Sequence, residues 1–175
     1  MKSSPIPMTL IAPCGMNCIL CRAFTRDKKA CPGCRGDDNS KSISCVACRI
    51  KNCEKLVRGS LKYCFECDSF PCVRLIHLDK RYRTKYSMSM IENLNTIKSH
   101  GVRRFVEREK KRWACPKCGR LLCVHKSECI FCQYAWRQKS IAQGVVADRS
   151  RLQEGYRSMC RGRGKFQGAR KRAGS

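Results

Sequence analysis

The sequence predicts a small metal-stapled α+β protein. Its N-terminal half reads as zinc-knuckle or treble-clef-like turns, its middle as helical, and a zinc ribbon and a basic tail follow. Three observations predict this. Seventeen of the 175 residues are cysteine, a density that means either disulfides or metal ligands. Most of these cysteines fall in C-x-x-C pairs, a spacing that sets two thiolates on one tight turn. Between the cysteine-rich stretches lies a cysteine-free segment with helical periodicity.

The opening stretch "MKSSPIPMTLIAPCG" carries one lysine and no apolar run of h-region length, so the expected compartment is a reducing cytoplasm, where clustered cysteines serve as metal ligands. No stretch approaches the roughly 18 apolar residues of a membrane span. Charge is the second bound: 38 Lys+Arg against 13 Asp+Glu leave a net +25. Even after three four-thiolate zinc sites this remains roughly +19, a surface that attracts polyanions.

Composition divides the chain into residues 1–72, a cysteine-rich metal-binding domain; 73–113, a helical connector; 114–132, a zinc ribbon; and 133–175, a basic tail. In the first, "CILC" and "CPGC" pair Cys18 with Cys21 and Cys31 with Cys34 as one four-cysteine centre. Cys14 is left over and can exchange with Cys18. Farther on, Cys45/Cys48 and Cys64/Cys67 are C-x-x-C pairs at zinc-ribbon spacing. Cys53 and Cys72 lie close to them, so Cys48, Cys53, Cys64 and Cys67, or a set using Cys72, serve equally well.

In the connector, Ile91, Leu94 and Ile97 recur at helical spacing behind a capping box of Ser89 and Glu92, and Gly101 ends that helix. A second helix follows, with Val102, Phe105, Val106 and Trp113 on one side. Arg103, Arg104, Arg108, Lys110, Lys111 and Arg112 surround the other side. They read either as a solvated face or as a nucleic-acid surface.

"CPKCGRLLCVHKSECIFC" is the clearest centre, with Cys115/Cys118 and Cys129/Cys132 as two knuckles. Cys123 and His125 sit between them and are read as packed or hydrogen-bonded, with a ligand role as the alternative. In the tail, Arg157, Arg161, Arg163, Lys165, Arg170, Lys171 and Arg172 are interspersed with glycine, a pattern suited to phosphates. Cys160 reads as a free thiol there. Tyr134, Trp136, Tyr156 and Phe166 are candidates for stacking on exposed bases.

"APCGMNCILCRAF", "CPGCRG", "CRIKNC", "YCFECDSFPCVRL", "YSMSMIENLNTIKSHGVRRFVEREKKRW" and "CPKCGRLLCVHKSECIFC" together resemble a widespread prokaryotic family of small cysteine-rich proteins of unknown function, presumed to bind zinc. The resemblance covers about residues 9 to 133. It implies Cys48, Cys53, Cys67 and Cys72 as the second ligand set and treats Cys45 as an addition. It implies no activity, and the basic tail lies outside it.

Three functional classes follow. The first is a non-enzymatic protein with two to three zinc ions that binds RNA, the ribosome included, through a basic surface and tail. The second is an iron-sulfur or thiol redox protein that uses the surplus cysteines. "PCGMNCILC" also has the C-x-x-x-C-x-x-C spacing of cluster-binding radical enzymes, but the chain is too short for their barrel. The third is a zinc-stapled adaptor for an acidic protein partner. Catalysis is not expected, because a closed four-cysteine site offers no open metal position and His77, His100 and His125 are scattered.

Overall fold

The computed structural model describes residues 6 to 137. They form five helices, Arg22–Thr25 (α1), Ile43–Val46 (α2), Glu54–Val57 (α3), Val73–Tyr86 (α4) and Met90–Arg112 (α5), with 3-10 turns at Met8–Leu10, Cys18–Leu20 and Cys64–Glu66. The α+β expectation is corrected to a mostly helical chain. Among the described residues the β component is three isolated antiparallel bridges, Ile11 to Asn17, Ala114 to Leu121 and Glu128 to Ala135. Each closes a tight turn of a few residues, too short for a ladder to develop between the cysteines.

The cysteine-free segment is helical, but the two helices its periodicity predicts on either side of Gly101 are the two halves of α5, and α4, which that periodicity does not single out, precedes them. α4 ends where Ser87 takes φ 52°, and α5 begins three residues later at Met90, with the Ser89 hydroxyl accepting the Glu92 N–H at 3.0 Å. At Gly101 the backbone turns to φ 80°, ψ 158°, so α5 is two helical halves joined at a kink. That conformation strains any residue with a Cβ. The first half buries Met90, Leu94 and Ile97 and the second Phe105 and Val106, the i, i+3, i+4, i+7 stripe of an amphipathic helix.

The compositional segments share one core. Ala12, Met16 and Leu20 from the N-terminal turns, Leu75 from α4, Met90 and Leu94 from α5, and Leu122 and Val124 from the second cysteine-rich stretch pack together with Trp113 and Trp136. A second cluster joins Ile6 and Ile11 to Ile97, Phe105 and Val106. Each large aliphatic side chain buried in this way contributes about 1.5–3 kcal/mol.

Polar ties fix the elements in register. The Asn93 amide donates to the Gly15 carbonyl at 3.0 Å. Cys64 N–H donates to the Pro13 carbonyl and Val124 N–H to the Leu20 carbonyl, both at 2.9 Å. Gly15 has φ 85°, and a Cβ there would stand 2.9 Å from both Leu94 Cγ and the Met90 carbonyl oxygen. Glycine is what allows the "PCG" turn to lie against α5.

Candidate metal centre

Residues 113–136 contain two turns built alike. In the first, Cys115 N–H donates to the Arg120 carbonyl and Gly119 N–H to the Cys115 carbonyl; in the second, Cys129 N–H donates to Tyr134 and Gln133 N–H to Cys129. The position after each second cysteine is left-handed, Gly119 at φ 71° and Gln133 at φ 58°. Each turn therefore presents two sulfurs on one side. The bridges Ala114 to Leu121 and Glu128 to Ala135 close them.

The four sulfurs converge. Cys115 Sγ lies 3.6 Å from Cys132 Sγ and Cys118 Sγ 3.7 Å from Cys129 Sγ, and all four lie within 4.8 Å of one another. Four sulfurs at about 2.3 Å from one tetrahedral ion would stand about 3.8 Å apart, whereas a disulfide needs about 2.05 Å. These thiols are unbonded to one another and sit at the separation of a single-ion site. A tetrahedral set of four sulfurs selects zinc or iron.

Electrostatics agree with this geometry. Burial opposes ionisation of Cys115, but the backbone N–H groups of Cys118 and Lys117 outweigh it and bring the thiol down to about 7. The Tyr134 N–H favours a Cys132 thiolate, yet burial and the neighbouring sulfurs of Cys118, Cys115 and Cys129 push it up to about 12. An anion at Cys115 is well held and one at Cys132 is opposed, and a bound divalent cation removes that conflict.

Cys123 and His125 lie between the two turns. Cys123 is fully buried. His125 Nδ1 accepts the Arg22 backbone N–H at 3.3 Å, which leaves the neutral ring's proton on Nε2 to donate to the Tyr82 hydroxyl at 3.1 Å.

The N-terminal cysteines are arranged differently from their order in the chain. Cys34 N–H donates to Cys18 Sγ at 3.3 Å. The same two thiols share a hydrogen bond that, with burial, raises Cys34, while Lys41 and Lys51 oppose the rise. Burial, then Cys34, Cys64 and Cys48, raise Cys14, with the Met16 N–H opposing. Burial followed by Cys72, Cys53, Cys67 and Cys48 pushes Cys64 up to about 12. Cys21 is raised by burial against the Ala23 and Phe24 N–H groups, and its sulfur neighbours are Cys45 and Cys123. Cys31 is buried, its N–H donating to the Ala23 carbonyl at 2.8 Å.

Thus Cys18 and Cys34 of the first expected quartet meet, and Cys48, Cys53 and Cys67 of the second, with Cys72, act on Cys64 through their charge. Among the described residues, only the Cys115, Cys118, Cys129 and Cys132 group brings three or more candidate ligand atoms within 4.8 Å of one another.

Of the cationic candidates, Arg103, Arg104, Arg108, Lys111 and Arg112 are exposed on the second half of α5 and Lys110 is half-buried. Trp136 is corrected from a base-stacking candidate to a core residue: it is 9 % exposed and packs edge-on to Trp113 at 5.6 Å between ring centroids. Tyr134 is half-buried against the same core. Tyr156, Arg157, Cys160, Arg161, Arg163, Lys165, Phe166, Arg170, Lys171 and Arg172 lie outside the described residues. Among the described residues no helix is long and apolar enough to cross a membrane.

Sequence reasoning missed the buried polar residues Asn17, Asp79, Asn93 and Glu109. Their surroundings come from separate segments, and the only signal in the chain is a polar residue on an otherwise apolar helical stripe, as at Asn93 and Glu109.

Fold and site together define a cysteine-rich, mostly helical protein with a four-cysteine group able to hold a metal ion. A family described as "Protein of unknown function (DUF3795)" matches residues 10–77. The match ends ahead of the four-cysteine group at 115–132, so the resemblance seen over about residues 9 to 133 is supported for its first part. No curated protein and no solved structure matches the chain.

Proposed function

We propose that this chain is a non-enzymatic zinc protein of a reducing compartment that binds RNA, the ribosome included. The observation that carries the zinc reading is the sulfur quartet of Cys115, Cys118, Cys129 and Cys132, whose 3.6 and 3.7 Å separations suit one tetrahedral ion. Zinc there would staple the two turns onto Trp113 and Trp136. A four-thiolate shell leaves no position for a reacting water, which speaks for structure over catalysis.

RNA is favoured by the exposed cations of α5, whose opposite side is buried in the core, together with the net charge of +25. The test is metal content together with RNA binding as a function of salt. The zinc reading expects zinc without iron. The RNA reading expects affinity that falls steeply with salt, and the variant Arg104→Ala/Arg108→Ala/Lys111→Ala should lower the slope of log K against log salt by about 0.7 per lost phosphate contact. An unchanged slope, or no RNA retained at low salt, overturns the RNA reading. Binding that survives nuclease treatment points to an acidic protein partner instead.

One arrangement favours a second reading for the N-terminal half. Cys14 and Cys64 each have several thiol neighbours drawn from different segments, wider apart than the 115–132 quartet. Thiols gathered from several segments are also what an iron-sulfur cluster takes as ligands. Iron with labile sulfide in the intact protein would establish it, and zinc alone would eliminate it.

A further inference from the structure

The two turns of the four-cysteine group share one architecture, so each is a control for the other. Between and just after its cysteines the first turn exposes Pro116, Lys117 and Gly119; at the same positions the second exposes Ile130, Phe131 and Gln133. The first set is what a solvated turn favours: a fixed φ, a charge, and a glycine at the left-handed position. The second set is disfavoured at all three places. It leaves two apolar side chains in water and holds a residue with a Cβ at φ 58°. The turn itself does not require these residues.

The exposure is particular to this tip. Phe131 is 52 % exposed and Ile130 40 %, and among the described residues every other Phe, Tyr and Trp is buried or half-buried. Met8, Ile43, Val57 and Val73, which are also large, apolar and exposed, stand singly in the chain. The backbone beneath the tip is pinned by Cys129 N–H on the Tyr134 carbonyl and Gln133 N–H on the Cys129 carbonyl, each at 2.9 Å. Cys129 and Cys132 flank it within the sulfur group. An apolar surface on so rigid a support loses little entropy when a partner covers it.

Charge selects the partner. The Arg120 guanidinium, from the first turn, lies 4.5 Å from the Phe131 ring centroid. A guanidinium stacked on a ring keeps its N–H donors in its own plane, directed away from the stack. Among the described residues no ion pair joins Arg120 or Lys117 to a carboxylate. The tip thus combines an open aromatic surface with cations that lack an anion. An unpaired nucleotide carries the complementary pair, a flat base joined to a phosphate. In a duplex the bases are closed to the ring by their own stacking.

We propose that this tip is a single-stranded RNA site, where an unpaired base stacks on the open side of Phe131 beside Ile130, and Arg120 and Lys117 take the adjoining phosphates. This inference deepens the RNA reading and rests on it. It moves the base contact from Trp136 and Tyr134, which pack in or against the core, to a side chain that stands between two of the sulfur ligands.

The experiment uses the full chain loaded with zinc and measures, by fluorescence anisotropy, the binding of a single-stranded RNA, an abasic strand of the same length, and an RNA duplex. The parent should prefer the strand that carries bases. Phe131→Ala, at an exposed position, should weaken that strand about 5- to 150-fold per stacked base and erase its advantage over the abasic strand, with zinc content and salt slope unchanged. Phe131→Trp should restore the preference, and single-stranded RNA should quench the added tryptophan. Arg120→Ala should lower the slope of log K against log salt by about 0.7. The variant Arg104→Ala/Arg108→Ala/Lys111→Ala should lower the slope too, yet keep the preference for bases.

Equal binding of the base-bearing and abasic strands by the parent, or a preference that Phe131→Ala retains, overturns the tip site and leaves the RNA reading on α5 standing. A Phe131→Trp variant that holds zinc without recovering the preference overturns it as well. No strand bound by the parent at low salt overturns both readings. A peptide of glutamate and leucine that binds the parent and is weakened by Phe131→Ala, while RNA is not, overturns the proposal in favour of a protein partner.

Discussion

Gly119 and Gln133 hold the same place in two copies of one turn, each following the second cysteine and each left-handed, at φ 71° and φ 58°. The first copy has the residue this backbone prefers. The second imposes about 1 kcal/mol of strain on a residue with a Cβ. Gln133→Gly should therefore raise the stability of the metal-loaded protein by roughly 0.5–1 kcal/mol, read as a shift in denaturant midpoint at unchanged slope. Gly119→Ala should lower it by a similar amount, because a Cβ there meets no atom within 4 Å and only the backbone opposes it. A lowered midpoint in Gln133→Gly would mean that the glutamine side chain contributes more than its backbone costs.

Cys118 is the exposed member of the sulfur quartet, so its replacement creates no buried hole. Cys118→Ser should cost the protein one metal equivalent and much of the roughly 10–16 kcal/mol that zinc supplies to such sites. The amides of Gly119, Leu122, Cys129 and Trp136, which close the two turns, should lose hydrogen-exchange protection while those of α4 keep theirs. Unchanged exchange over 114–132 would show that metal does not hold this segment together.

Asp79, 3 % exposed on α4, joins that helix to the start of α5. Its Oδ1 accepts the Ser89 hydroxyl at 2.7 Å and the Ile91 N–H at 3.1 Å, and Oδ2 accepts Arg83 Nε at 2.7 Å. Asp79→Ala strands these donors and should destabilise by about 2–4 kcal/mol. Asp79→Asn keeps an acceptor and should cost less. Ser89→Ala removes the cap and one of the donors to Asp79, leaves the Arg83 and Ile91 bonds in place, and should cost about 1 kcal/mol. Thermal unfolding of the three variants should rank them in that order.

Burial raises the Glu109 carboxyl above the ordinary range, with Arg112, the Trp113 indole and Asn17 opposing and Glu92 adding to the rise. The folded protein thus holds this proton more tightly than the unfolded chain. The contribution is fully present below the unfolded value and is lost as pH rises through the folded one. Glu109→Gln, which cannot ionise, should be more stable than the parent at neutral pH. The gap should close on acidification towards pH 5, measured by denaturant titration at saturating zinc. A gap independent of pH would show that Glu109 does not titrate differently on folding.

Much of this protein was legible in its residues. The cap at Ser89, the break at Gly101 and the apolar stripe through Ile97, Phe105 and Val106 are local features, decided by hydrogen bonds and side-chain periods within a few residues. The convergence of Cys115, Cys118, Cys129 and Cys132 was legible for the same reason: each pair sits on its own turn, and only ten residues separate the pairs.

The N-terminal cysteines were harder because loop closure costs little more for a long loop than for a short one. Nearness in sequence therefore does not choose partners. Cys14 faces Cys34, Cys64 and Cys48 because the Cys64 N–H is tied to Pro13, and Cys34 meets Cys18 through a backbone bond across sixteen positions. A cavity beside Glu109 was not legible at all. It exists because a bend at Gly101 brings Phe105 and Arg108 opposite Glu92 and Asn93.

The sequence by itself determined that this is a basic, cysteine-rich chain with a four-cysteine group able to hold a metal ion, since charge and cysteine count are sums over residues and the group is built from two local turns. Only the tertiary structure decided which of the N-terminal thiols interact and which carboxylates, Asp79 and Glu109, are buried, since both depend on distances between segments that the chain order does not specify.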